Sequence, residues 1–237
     1  MIAIGSEKAV DAQSRNTDET EELIEDVLNQ RLAAYVAGAL PEPLQVFFEA
    51  HLQMSDRHHA LVADLEAAAG AMLELEVPAD CPECPQTLDH ILSLDDPKFG
   101  AAAAEGADVP PAVVVWPAPD ADVGMLPAPV RELLDCGSDD IEWARGDSGL
   151  GIFGETLKEG YQVKLAQLHA GGRLEWHSHE GDEYLLVLAG SFSTEAGVFS
   201  VGDVCYHPGG IFHSASADAE TGCTCLVVIA SGDAQPV

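Results

Sequence analysis

Basic residues are scarce in this chain: ten lysines and arginines stand against forty-one acids in 237 residues, a formal net charge of −31. A protein that grips nucleic acid needs cations to displace counterions from phosphates, so this deficit argues against direct nucleic-acid binding. It suits a partner with a basic surface. The acids are spread evenly, with a net charge of −16 over residues 1–96 and −15 over the remainder, which is the pattern of general solvation more than of one tuned interface. Long apolar runs are missing too. No stretch of eighteen apolar residues exists, which excludes a membrane-spanning helix. The first residues, Met1-Ile2-Ala3-Ile4-Gly5-Ser6-Glu7-Lys8, have neither the basic flank nor the long apolar core of a secretion signal, and a cytoplasmic location is the expectation. In that setting the six cysteines serve as buried apolar residues, metal ligands or redox groups before they serve as a disulfide framework.

What is present divides the chain in two. Residues 1–19 are polar without apolar period and predict a disordered tail. From Glu21, apolar residues fall at helical spacing (Ile24, Val27, Leu28, Leu32, Tyr35 and Val36), with acids in the first turn, and Gly38 and Pro41 stop the helix. A second helix is expected over 43–53, with Pro43 in its first turn, and a third over 56–76, capped by Ser55 or Asp56 and lined by Leu61, Leu65, Ala68, Met72 and Leu75. A short fourth runs from Pro85 to Leu94. Together residues 20–96 read as a small four-helix bundle. Residues 97–127, rich in alanine and proline, read as a linker. After a short helical piece at Val130–Leu134, strand signals separated by glycine turns fill residues 128–237. They include Tyr184–Leu188 and Ser191–Thr194 as separate strands, and the sum is a double-sheet jelly roll. The fold class is therefore α+β, in two domains.

Chemistry concentrates between residues 171 and 213. His177 and His179 alternate on a strand and so share a face, Glu183 follows after a Glu-Gly-Asp turn, and Pro208, Gly209 and Gly210 turn the chain to bring in His213. Three imidazoles and one carboxylate converging in a barrel would hold one divalent transition metal and leave positions open. Such a site takes zinc, iron, manganese, nickel or cobalt. Gly171, His177, His179, Glu183 and Gly190 fill the first signature motif of the cupin superfamily, which these stretches resemble; Gly202, Pro208, Gly210 and His213 fill the second, with Ala217 where an asparagine is usual.

The order of helical bundle, linker and cupin resembles the ChrR family of anti-sigma factors. The resemblance is strongest at Ala34-Tyr35-Val36-Ala37-Gly38-Ala39-Leu40-Pro41-Glu42-Pro43, and extends to Leu126-Pro127-Ala128-Pro129 and Cys223-Thr224-Cys225-Leu226. It implies a helical head that sequesters an extracytoplasmic-function sigma factor, and zinc as the metal. It also implies release of the sigma factor when the cupin domain senses an oxidative signal. The family's head holds zinc through an upstream His and a His-x3-Cys-x2-Cys motif. Here His51 is kept, Ser55 and His58 replace the cysteines, and no histidine precedes His51. A rebuilt site would draw on His51, His58 or His59, Cys81 and Cys84; the rival reading is a head held by apolar packing alone.

Two functions follow. In the first, Leu44, Phe47, Phe48 and Leu52 contact the sigma factor, provided some of them are uncovered in the free protein, and Cys205, Cys223 and Cys225 are candidate oxidation targets, whereas Cys136 reads as a core residue. In the second, the chain is a metal-dependent cupin oxygenase acting on a small molecule, with Glu175 as a base on the face shared with His177.

Overall fold

In the computed structural model the described residues are 24–75, 126–134, 143–145 and 150–231. The expected fourth helix, most of the linker, and Cys81, Cys84 and Cys136 lie outside them. Among the described residues three helices form the head: α1 over residues 24–36, α2 at Glu42–Met54 and α3 at His59–Leu75. Gly38 ends α1 at a φ of 64°, where the Ala39 N–H reaches back to the Ala34 carbonyl at 2.9 Å. A short helix, α4 at Ala128–Leu133, precedes the barrel. Among the described residues no helix is long and apolar enough to cross a membrane.

Nine antiparallel strands follow: β1 Ala144–Arg145, β2 Leu150–Lys158, β3 Tyr161–Leu168, β4 Arg173–His177, β5 Glu183–Thr194, β6 Gly197–Ser200, β7 Val204–His207, β8 His213–Ala217 and β9 Cys223–Ala230. They pair in the order β1-β2-β3-β9-β5-β8-β4, with β6 and β7 also on β5. The two strands expected at Tyr184–Leu188 and Ser191–Thr194 are one. β5 runs through Gly190, whose φ of 68° bends it, and a Cβ there would run into the Gly222 carbonyl oxygen. Its first half pairs with β7 and β9, and its second half with β6 and β8. This one bent strand therefore joins both sheets of the roll.

β5 and β9 are buried on both faces. Val187, Cys223, Cys225, Val227 and Ile229 fill the barrel interior. The alternate residues Tyr184, Leu186, Leu188, Leu226 and Val228 face the helices and join Leu32, Leu44, Phe47, Phe48, Val130 and Leu133 in one core. Two covered faces explain why the run Tyr184-Leu185-Leu186-Val187-Leu188 is apolar without alternation. The head thus sits directly on the barrel wall. Phe47 meets Tyr184 edge-on at 6.0 Å, the Arg31 Nε donates to the Tyr184 hydroxyl at 3.0 Å, and the Glu42 N–H reaches Glu159 at 2.8 Å.

Candidate metal centre and the histidines of the head

β4 ends at His177 opposite His213, the first residue of β8, and Glu183 opens β5 opposite His207 at the end of β7. Four strand ends therefore deliver side chains to one mouth of the barrel. One nitrogen from each of His177, His179 and His213 lies within 4.8 Å of the others. The Glu183 carboxylate meets them from below: Oε1 is 3.2 Å from His179 Nε2, and Oε2 is 3.1 Å from His213 Nε2. All four expected ligands are brought together.

The ring orientations are those of ligands. His177 donates Nδ1–H to the Glu175 carbonyl at 2.8 Å and His213 donates Nδ1–H to that of Ile211 at 3.2 Å, so each turns an Nε2 lone pair inward. His179 Nε2 is buried and has no hydrogen-bond partner. A buried orphan among inward lone pairs and a carboxylate is what a cation would satisfy, so the residues present fit a divalent metal. Burial pushes the Glu183 carboxyl up, but the adjacent imidazoles of His179, His207 and His213 outweigh it and hold the group well below the usual carboxylate range. Burial pulls His213 down, yet the adjacent Glu183 carboxylate prevails and raises it. His177 is lowered, chiefly by burial.

His207 is a member of this cluster that the motif reading missed. It is buried, its Nδ1 lies 3.1 Å from Glu183 Oε2, and its ring stacks on His213 at 3.8 Å and 7°. It stands just before Pro208, outside the signature positions. Its signal was its alternation with Cys205 and its place across from Glu183. Glu175 is exposed. β4 shifts register against β8 between Leu174 and His177, and alternation does not carry across such a bulge, so the expected base does not share the inner face.

Cys205, Cys223 and Cys225 are free and buried. Burial pushes the Cys205 thiol up, and the Glu183 charge adds to that. The Cys225 S–H, hydrogen-bonded to Cys223, lowers the Cys223 thiol and raises its own. Of the three redox candidates, Cys223 is the one whose thiol is shifted downward.

In the head, His51 and His58 lie 2.7 Å apart, Nε2 to Nδ1, both buried. His51 donates Nδ1–H to the Gly202 carbonyl in the β6–β7 turn at 2.9 Å, so its Nε2 accepts from His58, whose other nitrogen lies 3.5 Å from Glu25. His59 is exposed and donates to the Leu52 carbonyl at 2.7 Å. The expected partner residues are largely covered: Leu44, Phe47 and Phe48 are buried and Leu52 half-buried, because the barrel wall occupies the face they present. Of the four, Leu52 alone is partly uncovered. At the far end of α3, Met72, Leu73 and Leu75 are exposed.

A family model described as the ChrR cupin-like domain matches residues 134–231. The anti-sigma-E factor ChrR of Cereibacter sphaeroides is 27% identical over 197 residues, which is 82% of this chain and 84% of that one. The anti-sigma ChrR seen in crystals with Rhodobacter sphaeroides SigE superposes with a TM-score of 0.62 at 24% identity, over 85% of this chain and 96% of that one, a likeness of fold. Residues 134–231, which carry the barrel and its converging side chains, are thus similar to the ChrR cupin-like domain.

Proposed function

We propose that this protein is an anti-sigma factor: its head sequesters an extracytoplasmic-function sigma factor, and its barrel holds a regulatory metal. The single observation that carries this reading is the match to the anti-sigma-E factor ChrR across 82% of the chain, head and barrel alike. The metal is held by His177, His179, Glu183 and His213, and zinc is the ion that an imidazole-rich set with one carboxylate suits in a regulatory role. The barrel works as a sensor and not as an enzyme, in the cytoplasm, where the sigma factor acts. An oxidant reaching the Cys223–Cys225 pair or the metal biases the barrel toward a second conformation, and the head follows because it shares a core with the barrel wall.

Because Leu44, Phe47 and Phe48 are covered, the sigma factor docks elsewhere on the head, and the exposed apolar end of α3 is the face offered. The strong negative charge suits a basic partner. Co-expression of the full chain with the sigma factor encoded beside it tests the reading. A stoichiometric complex that dissociates after peroxide or singlet-oxygen treatment is expected, and recovery of no sigma factor under reducing conditions sinks the proposal.

A further inference from the structure

His177, His179 and His213 each bring a nitrogen to one point; His207 lies as close to Glu183 and His213, but both of its ring nitrogens face protein neighbours. Its Nδ1 faces Glu183 Oε2 at 3.1 Å, and since a carboxylate only accepts, that nitrogen carries the proton. Its Nε2 is then a lone pair, and it faces Cys205 Sγ at 3.6 Å, within reach of the thiol proton. The chain Cys205 S–H to His207 Nε2, then His207 Nδ1–H to Glu183, gives all three groups a partner. Strand register builds it. Cys205 and His207 are alternate residues of β7, and His207 sits across from Glu183 on β5. All three side chains are buried, and the flat stack of His207 on His213 at 3.8 Å braces a second ligand. Burial and the Glu183 charge keep the thiol protonated, so it remains a donor.

We propose that His207 is a positioning residue of the metal centre, holding Glu183 in place through Nδ1–H while the Cys205 thiol fixes its tautomer. This rests on the metal reading of the barrel. It adds that one thiol is wired to a metal ligand through a single imidazole, so a change at Cys205 reaches the metal without a cysteine coordinating it. Removing such an outer partner costs metal affinity by about 10- to 100-fold.

The test uses the full-length protein loaded with zinc or cobalt(II). In chelator competition, His207→Phe, which keeps the stacked ring, is expected to lose affinity in that range, and His207→Gln, whose amide still donates, to recover most of it. The cobalt bands of His207→Phe should shift in energy at unchanged intensity, since coordination number is kept. Long-range proton–nitrogen spectra of the zinc-loaded wild type should show His207 protonated at Nδ1 and free of metal; this readout decides the matter even where a variant fails to fold. Wild-type affinity in His207→Phe would reduce His207 to packing. A metal-bound nitrogen at His207, or a cobalt spectrum that has lost a ligand, would make it a ligand and overturn the assignment. A wild type that takes up neither ion fails at an earlier step and takes the metal reading down with it.

Discussion

At the scale of single residues, the centre is one carboxylate set against several imidazoles. Among the described residues Glu183 supplies the only carboxylate of the cluster, and the imidazoles of His179, His207 and His213 beside it hold it ionised. Glu183→Gln removes that charge at almost no change in volume, leaving the metal to neutral ligands in a buried site. Zinc affinity should fall by well over the ~10-fold that loss of an outer partner costs, read by competition with a chelator. The convergence of the four motif residues was legible from their spacing and the glycine turns between them, although the strand expected to reach His179 ends at His177. His207 was not, because cross-strand register between β5 and β7 is set by turn geometry that residue spacing alone does not reveal. Glu175 shows the converse: alternation was assumed, and a bulge broke it.

At the scale of elements, α2 is tied to the barrel wall by two devices of different kinds. One is apolar. Phe47 is fully buried between Phe48 and Tyr184, and Phe47→Ala should cost ~3–5 kcal/mol, read as a lowered urea midpoint. The other is the His51 imidazole, buried against the Gly202 carbonyl with His58, Arg57 and Asp203 around it, which burial pulls down to about 4. The unfolded chain takes up a proton near the ordinary value of about 6.5, which folded His51 refuses until about 4. Stability from this group is therefore whole above about 6.5 and drains as pH falls through that window, by about 3 kcal/mol at its foot. Urea titrations at pH 7 and pH 5 should show the drop, and His51→Gln should flatten it. The sequence marked the stripe on α2 but not its destination, since an apolar helix face looks the same whether it meets a bundle, a sheet or a partner. The unbroken apolar run of β5 was the missing clue.

At the scale of the whole molecule, the decisive feature is that head and barrel share one core. A sensor in the barrel then needs no flexible tether to reach the head, because a shift in β5 or β9 moves the surface on which α2 rests. The same packing removes Leu44, Phe47 and Phe48 from any partner that leaves the head docked, so binding energy must come from another face. Along α3 only Val62 is buried; Leu61 and Leu65 are half-buried against the core, and the face they begin continues to Met72 and Leu75 in solvent. Exposed anchors at helical spacing are how an amphipathic helix presents itself to a groove. The paired substitution Met72→Glu and Leu75→Glu places two charges on that face without touching the core or the metal. It should weaken retention of the sigma factor by more than ~10-fold, which a loss of about 1.4 kcal/mol already produces, measured by titration of purified partners. Zinc content and unfolding midpoint should stay at wild-type values. Raised ionic strength should weaken the wild-type complex as well, because a chain with a net charge of −31 attracts a basic partner through solvent-exposed charges that salt screens. Unchanged binding by the doubly substituted protein would move the interface off α3. Release of the sigma factor by Phe47→Ala with α3 intact would place the interface instead on the face that the barrel now covers.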